Sequence, residues 1–476
     1  MNKSMRQLFI AVLVLFLIIT CSTFFWSIIY APALDANPEN TAAFYHEVGM
    51  ARGEILSSGG QILALSQKSN DSFNYQRSYP QGEAFAPVTG FFSIAAPPSQ
   101  GVEMSYDKVL TNGNGSIWQQ KFESIFEGQE EGGVNVETNI QAPLQEYSYS
   151  LLKGKTGAIV VLDAKTGAIL TLASSPSYDP NLLATHNSQQ ARSLYSSYSQ
   201  EGLLADLATQ YLINPGSTFN ILTSSLALQK GMKPTDEVSA PSTFKLPSGM
   251  VIANSVYYPG YSMQSKMDLS TAFSYSSSTA FAILAQKFGA QALEKEAASF
   301  GFGSPIHICG EKGSGQALLS SASSLGNVSD AQNLALAGAG EGGEKVSLIQ
   351  EAMMVGAVAD GGSIMKPELV KRTLSSGLQV LFSSTPSRLS SPLTSSQAAQ
   401  IKAMMENLTK VQDSSLGPVA SVMAQVKDQS QADRSDSLAA GFSTSNPDTV
   451  VAVMLQNSTS AQAASIMGNV IKEAEK

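Results

Sequence analysis

Leu8 to Tyr30 runs for 23 residues without a charge, and this stretch constrains the fold more than any other. At 1.5 Å per residue a helix of that length crosses a bilayer. Lys3 and Arg6 precede it and no basic residue follows closely, so the positive-inside rule puts residues 1–7 in the cytoplasm and everything after Ala31 outside. A cleaved signal peptide is the rival reading, but the run is long for one and no small-x-small site closes it. Cys21 could mark a lipoprotein cleavage site, yet Ile18-Ile19-Thr20 matches one poorly. The expectation is an uncleaved signal anchor at residues 8–30, holding the rest at the outer face of the cytoplasmic membrane.

A chain of 476 residues is too long for one compact domain of typical size, so two or three are expected. A net charge of −9 and a pI near 5, with no basic stripe, speak against a nucleic-acid partner. Cys21 lies in the apolar run and Cys309 far outside it, so no disulfide framework is expected. Cys309 reads as a small buried hydrophobe.

Residues 31–140 read as a strand-rich unit broken by Gly and Pro. Gly53-Glu54-Ile55-Leu56 and Gln61-Ile62-Leu63-Ala64-Leu65 flank Ser57-Ser58-Gly59-Gly60, a hairpin-type turn. Asn112 to Gly115 marks an exposed turn, and Glu127 to Gly133 an acidic, Gly-rich linker. Residues 141–476 have another texture. Ala158 to Asp163 and Ala168 to Ala173 predict two strands joined through Ala164-Lys165-Thr166-Gly167. Leu222 and Leu226 sit four apart on a helix stopped by Gly231 and Pro234. Further helices are predicted at 279–288, 352–359 and 461–475, with a strand at 449–455. Ser375 to Ser396 is Ser-rich and carries no predicted element. Strands at both ends with helices between imply an α/β layered (α+β) domain whose sheet joins early and late strands.

The chemistry is concentrated at Pro215-Gly216-Ser217-Thr218-Phe219-Asn220. A serine at a helix start, with a lysine one turn on and on the same face, is a nucleophile with its base. Asn220 stands in the lysine's place, and an amide accepts no proton near neutral pH.

This segment resembles the S-x-x-K element of class B penicillin-binding proteins, and the likeness extends along nearly the whole chain. Arg52-Gly53-Glu54-Ile55 with Gly60-Gln61-Ile62-Leu63-Ala64 resembles their membrane-proximal domain. Thr156 to Asp163, Lys165 to Leu170 and Ser175-Pro176-Ser177-Tyr178-Asp179-Pro180-Asn181 resemble their first transpeptidase hairpin. Leu269, Ala272, Phe273, Ser276, Thr279, Ala280 and Phe281 match the helix pair of the second motif, and Asp360-Gly361-Gly362 with Met365-Lys366-Pro367 a later stretch. The resemblance implies a transpeptidase, or serine β-lactamase-like, fold behind a transmembrane helix and a pedestal domain. It also implies D,D-transpeptidase activity: a stem-peptide donor acylates the serine and is passed to an acceptor amine, with no cofactor.

Residue by residue, the implied site is altered. Ser217 holds the nucleophile's place, though it also suits an N-cap. The S-x-N motif reads Ser276-Ser277-Ser278, with Ser278 for the asparagine. K-T-G occurs literally at Lys155-Thr156-Gly157 and Lys165-Thr166-Gly167, but both precede Ser217. The expected site lies before the late strand, where Lys427-Asp428-Gln429 is the candidate and Lys427 the candidate surviving cation. Other chemistries find less support: there is no G-x-S-x-G elbow, Tyr149 replaces the first glycine of a phosphate loop at Lys155-Thr156, and His46, His186 and His307 lack metal-ligand spacing.

The expectation is a cell-wall protein of this fold that has lost catalysis and binds stem peptides or cell-wall synthesis proteins. An active transpeptidase with a relocated base, Lys427, and a β-lactam or muropeptide sensor acylated slowly at Ser217 are the alternatives.

Overall fold

The computed structural model describes residues 3–26, 49–96, 100–111, 133–254, 265–310, 316–427 and 434–476. The end of the expected span, the Asn112–Gly115 turn, the linker up to 132, and Asp428 and Gln429 lie outside them. Helix α1 (Lys3–Phe24) is long and apolar enough to cross a membrane, and it alone is so among the described residues. Its side chains are exposed from Met5 onward, as a lipid-facing helix requires.

Strands β1 (Ile55–Leu56) and β2 (Ile62–Lys68) form the expected hairpin, turned at Gly60 with φ +80°, and β3 (Tyr75–Ser78), not predicted, pairs with β2. Strand β4 (Asn135–Thr138) pairs parallel with β1. Helix α2 (Ala142–Leu151) leads to the predicted hairpin, β5 (Gly157–Asp163) and β6 (Ile169–Ser175). Asp163 accepts hydrogen bonds from the Lys165 and Thr166 amides and fixes that turn, while Gly167 takes φ +79°. Lys165-Thr166-Gly167 is therefore a hairpin turn.

The Ser217 turn feeds α3 (Asn220–Gln229), buried on nearly every face. Helices α4 (Leu269–Ser274) and α5 (Ser278–Phe288) follow, the latter ended by Gly289 at φ +86°. Helix α6 (Leu348–Ala359) begins four residues before the predicted start and is buried from Leu348 to Val358. It packs against the hairpin strand β5, against two late strands and against one later helix, Ser395–Gln412. Strands β7 (Val370–Leu374) and β8 (Val380–Ser383) come next; sequence reasoning found neither. They return to the first unit, giving a six-stranded sheet of order β8-β7-β4-β1-β2-β3.

Helix α7 (Ser395–Gln412) was also missed, its capping box of Thr394 and Gln397 hidden in the Ser-rich stretch. The chain ends with β9 (Val419–Lys427), β10 (Ser435–Ser443), β11 (Thr449–Leu455) and α8 (Ser460–Ala474). The second sheet has the order β9-β10-β11-β5-β6 and so joins late strands to the early hairpin. Helices α6 and α8 both pack against it, in an α+β layered domain whose edge strand is β9.

Candidate active site

The Ser217 turn is wedged between the edge strand β9 and the loop before α6. Gly216 takes φ +57°, and a Cβ there would meet Ala424 Cβ at 2.9 Å and Val426 Cγ2 at 3.0 Å. From the other side Gly340 approaches so closely that a Cβ on it would stand 1.8 Å from the Gly216 carbonyl oxygen. These glycines are demanded by contact. Residues 216–219 form a tight 3-10 turn, closed by Thr218 Oγ1 donating to the Pro215 carbonyl at 2.8 Å.

Ser217 is half-buried, and its Oγ donates to the Met423 carbonyl of β9 at 2.9 Å. A peptide carbonyl accepts a hydrogen bond but takes no proton at neutral pH, so this bond holds the hydroxyl without activating it. Asn220 follows on the same face one turn on. It is 2% exposed, and its Oδ1 has no hydrogen-bond partner.

The second motif is placed by α4 and α5, both of which contact α3. Ser276 lies between them at φ +52°, and its Oγ accepts from Gln412 Nε2 at 3.0 Å. Ser277 donates to Asn254 Oδ1 at 3.1 Å and caps α5. Ser278 Oγ donates to Glu341 Oε1 at 2.6 Å. Sequence reasoning missed both Gln412 and Glu341. Glu341 carries a visible signal, a charge set among glycines in Gly340-Glu341-Gly342-Gly343.

The third motif needs a correction. The expectation set Lys427 opposite Ser217, but the β9 residues that meet the Ser217 turn are Met423, Ala424 and Val426. Lys427 is exposed at the end of β9, paired with Ser435. It stands four residues from Met423, about 13 Å along a strand. The strand segment beside the nucleophile's place is Val422-Met423-Ala424, which has neither cation nor hydroxyl.

Carboxyl groups surround this turn. Glu351 on α6 is fully buried, and desolvation pushes it up to about 8. The only group that counters the shift is the Thr218 hydroxyl, itself committed to Pro215, and neither Glu351 oxygen has a hydrogen-bond partner. Burial also raises Glu344 to about 8; its Oε1 accepts from the Gly342 amide at 2.7 Å, while Oε2 is unpartnered. Glu341 is raised by desolvation, against the opposing Ser278 bond. Lys345 Nζ donates to Asn214 Oδ1 beneath the turn.

The remaining candidates lie elsewhere. His186 pairs with Asp71, and His307 Nε2 with the Gly310 carbonyl at 2.7 Å. Cys309 is buried and its thiol is pushed up to about 12 by desolvation. Among the described residues no group of three or more His, Cys, Asp or Glu could hold a metal ion.

Residues 157–474 match the penicillin-binding protein transpeptidase domain, and residues 52–136 the penicillin-binding protein A dimerisation domain. The chain is 29% identical over 420 residues to the peptidoglycan D,D-transpeptidase PbpA of Mycolicibacterium smegmatis, covering 86% of this chain and 84% of that one. It is 30% identical over 377 residues to the PbpA of Mycobacterium tuberculosis, covering 78% and 75%. Among solved structures it is similar to the ceftriaxone acyl-enzyme complex of M. tuberculosis penicillin-binding protein A, with TM-score 0.83 and 28% identity over 90% of this chain and 99% of that one. With both domain matches in order, and a structural likeness spanning nine-tenths of its length, the chain belongs to the penicillin-binding protein transpeptidase family.

Proposed function

We propose that this protein is a membrane-anchored, outward-facing component of peptidoglycan synthesis that keeps the penicillin-binding fold without D,D-transpeptidase turnover. It acts by binding stem peptides or cell-wall synthesis proteins, with α1 as its anchor. One observation carries this reading: the Ser217 hydroxyl donates its hydrogen bond to the Met423 carbonyl, which is no base, with Asn220 where a base belongs. Loss of a positioned base costs about 10²–10⁴ in rate, and roughly 10⁶ where nucleophile and base act as a unit. The strand beside Ser217 also lacks the lysine and threonine that would hold a donor's terminal carboxylate.

The similar proteins favour a second reading, an active transpeptidase that binds penicillin. The PbpA relatives are named peptidoglycan D,D-transpeptidases, and M. tuberculosis penicillin-binding protein A forms acyl-enzyme complexes with ceftriaxone, imipenem and penicillin G. Slow acylation without release, as in a sensor, is a variant of that reading. Incubation of the full chain with a fluorescent penicillin decides. The expected result is no covalent label. Labelling that vanishes in Ser217→Ala would refute loss of catalysis, and its rate of release would separate enzyme from sensor.

A further inference from the structure

The first sheet carries an exposed apolar projection far from the Ser217 turn. Strands β7 and β8 form a hairpin at its edge, closed by the Ser375 amide on the Gln379 carbonyl and the Leu378 amide on the Ser375 carbonyl. No charge occurs from Thr373 to Ser383. All four residues of β8 are exposed, so both of its faces are bare. Leu378 at the tip is 63% exposed, Val380 54%, and Leu381 and Phe382 41% each. Leu378 also sits at φ +62°, where such turns take glycine, although Gly377 is its neighbour. Backbone strain that only holds a leucine out from the surface gains nothing inside the fold and points to a use outside it.

Strand register fixes which way the projection points. Ile55 of β1 lies level with Val136, Thr373 and Phe382 across the sheet. Because β4 runs parallel to β1 and β7 antiparallel to β4, the β7–β8 turn stands at the end where the chain enters β1 from Ala51. It is three strand spacings from that entry, about 14 Å. Only residues 27–48 separate this end of the sheet from α1. The opposite end holds the β1–β2 turn, and there Thr138 leads on toward α2 and the second sheet. The apolar tip is therefore on the tethered side of the sheet and the transpeptidase domain on the far side. An open strand edge needs water for its amides and carbonyls, which excludes hydrocarbon but suits the headgroup boundary. We infer that the β7–β8 hairpin is a second membrane contact, with Leu378, Val380, Leu381 and Phe382 seated in the interfacial layer of the bilayer beside the α1 anchor. An uncharged hairpin on a chain of net charge −9 calls for no anionic lipid. The inference rests on α1 as the anchor and not on the state of Ser217.

Reconstitution of the full chain into phosphatidylcholine nanodiscs tests this. In a Cys21→Ser background the remaining Cys309 is buried, so a solvent-sensitive dye attaches only to an introduced cysteine. A dye on Leu381→Cys is expected to emit at shorter wavelength than one on Gly59→Cys, an exposed site at the opposite end of the sheet. Lipids bearing a doxyl group high on the acyl chain should quench the first dye and leave the second untouched, and raised salt should change neither. Adding Leu378→Ser and Phe382→Ser should abolish the quenching at 381 with no change in thermal melting, since both side chains are exposed. A tip dye that stays unquenched, or is quenched only with anionic lipid, would overturn the inference. So would a blue-shifted but unquenched dye seen only with two copies per disc, because a second chain would then cover the strand edge. A chain that fails to enter the disc would remove the anchor and this inference together, whereas an embedded chain with an unquenched tip would remove this inference alone.

Discussion

Replacement of Glu351 by Leu should make the protein more stable, and increasingly so as pH rises. The carboxyl is fully buried in α6, and desolvation lifts it from 4.5 to about 8. An unfolded chain releases this proton near pH 4.5, whereas the folded chain keeps it until about pH 8. Folding therefore takes up a proton across that window. The stabilising share of this group is complete below about pH 4.5, shrinks as pH rises, and is gone above about pH 8. At about 1.36 kcal/mol per pKa unit, the loss is about 3 kcal/mol by pH 7 and about 5 kcal/mol by pH 9. Leu does not titrate, so the stability gap between Glu351→Leu and the parent should widen by these amounts. For a domain of roughly 320 residues the unfolding entropy is about 0.7 kcal/mol per kelvin, so the gap in Tm should grow by about 4 °C between pH 4.5 and 7. Far-UV circular dichroism melts of the full chain across pH 4.5 to 9 would show it. Glu344 contributes a slope of its own, but to both proteins, and it cancels in the difference. A gap that stays flat or narrows with pH would refute the reasoning, because it would mean that the carboxyl ionises normally in the folded state.

Glu103 is fully buried between Arg52 at 2.8 Å and Arg77 at 2.6 Å, and it also accepts from the Tyr79 hydroxyl at 3.1 Å. Glu103→Ala leaves the buried Arg77 without a carboxylate and Arg52 with Asp107 alone, and should cost about 3–5 kcal/mol, read from urea unfolding. Gly340→Ala puts a Cβ against the Gly216 carbonyl at φ +76° and should lower stability by about 1–3 kcal/mol, a loss that thermal melts would register. Asn220→Lys alone should give little fluorescent-penicillin labelling, since β9 still lacks its cation. Adding Ser278→Asn, Val422→Lys, Met423→Thr and Ala424→Gly should give clearly more. Strong labelling from the single change would mean that the base was the only missing part.

Sequence reading worked where the signal was local. The β5–β6 hairpin announces itself through two apolar runs around a Gly that must adopt positive φ, and α3 and α5 through glycine stops. Helix α7 was equally legible, because Ala398, Ile401, Met404, Met405 and Leu408 follow helical spacing, but the preceding serines drew the reading toward a loop. The return of β7 and β8 to the first sheet left no such trace. Val370 pairs with Thr138 more than 230 residues away, and neither segment encodes its partner.

The site divides along the same line. Ser217, Asn220, Ser276 and Ser278 were found because each occupies a place in an ordered motif. Lys427 was misplaced because what counts on β9 is which residue meets the turn. That register is set by Gly216 packing on Ala424 and Val426, not by any lysine in the strand. Gln412 and Glu351 act across gaps in the chain and were invisible one residue at a time, while Glu341 showed only as a charge among glycines, without its partner Ser278. The core that defines the fold is the sheet with α6 and α8, and it does not depend on the side chains that would perform catalysis. An ammonium at position 220 would have to be buried, whereas an amide there costs less to desolvate. Valine, methionine and alanine likewise suit a strand better than a lysine without a ligand. On the proposed non-catalytic reading, the cleft is free to change while the glycine contacts at 216 and 340 preserve its frame, so the fold would outlast the chemistry.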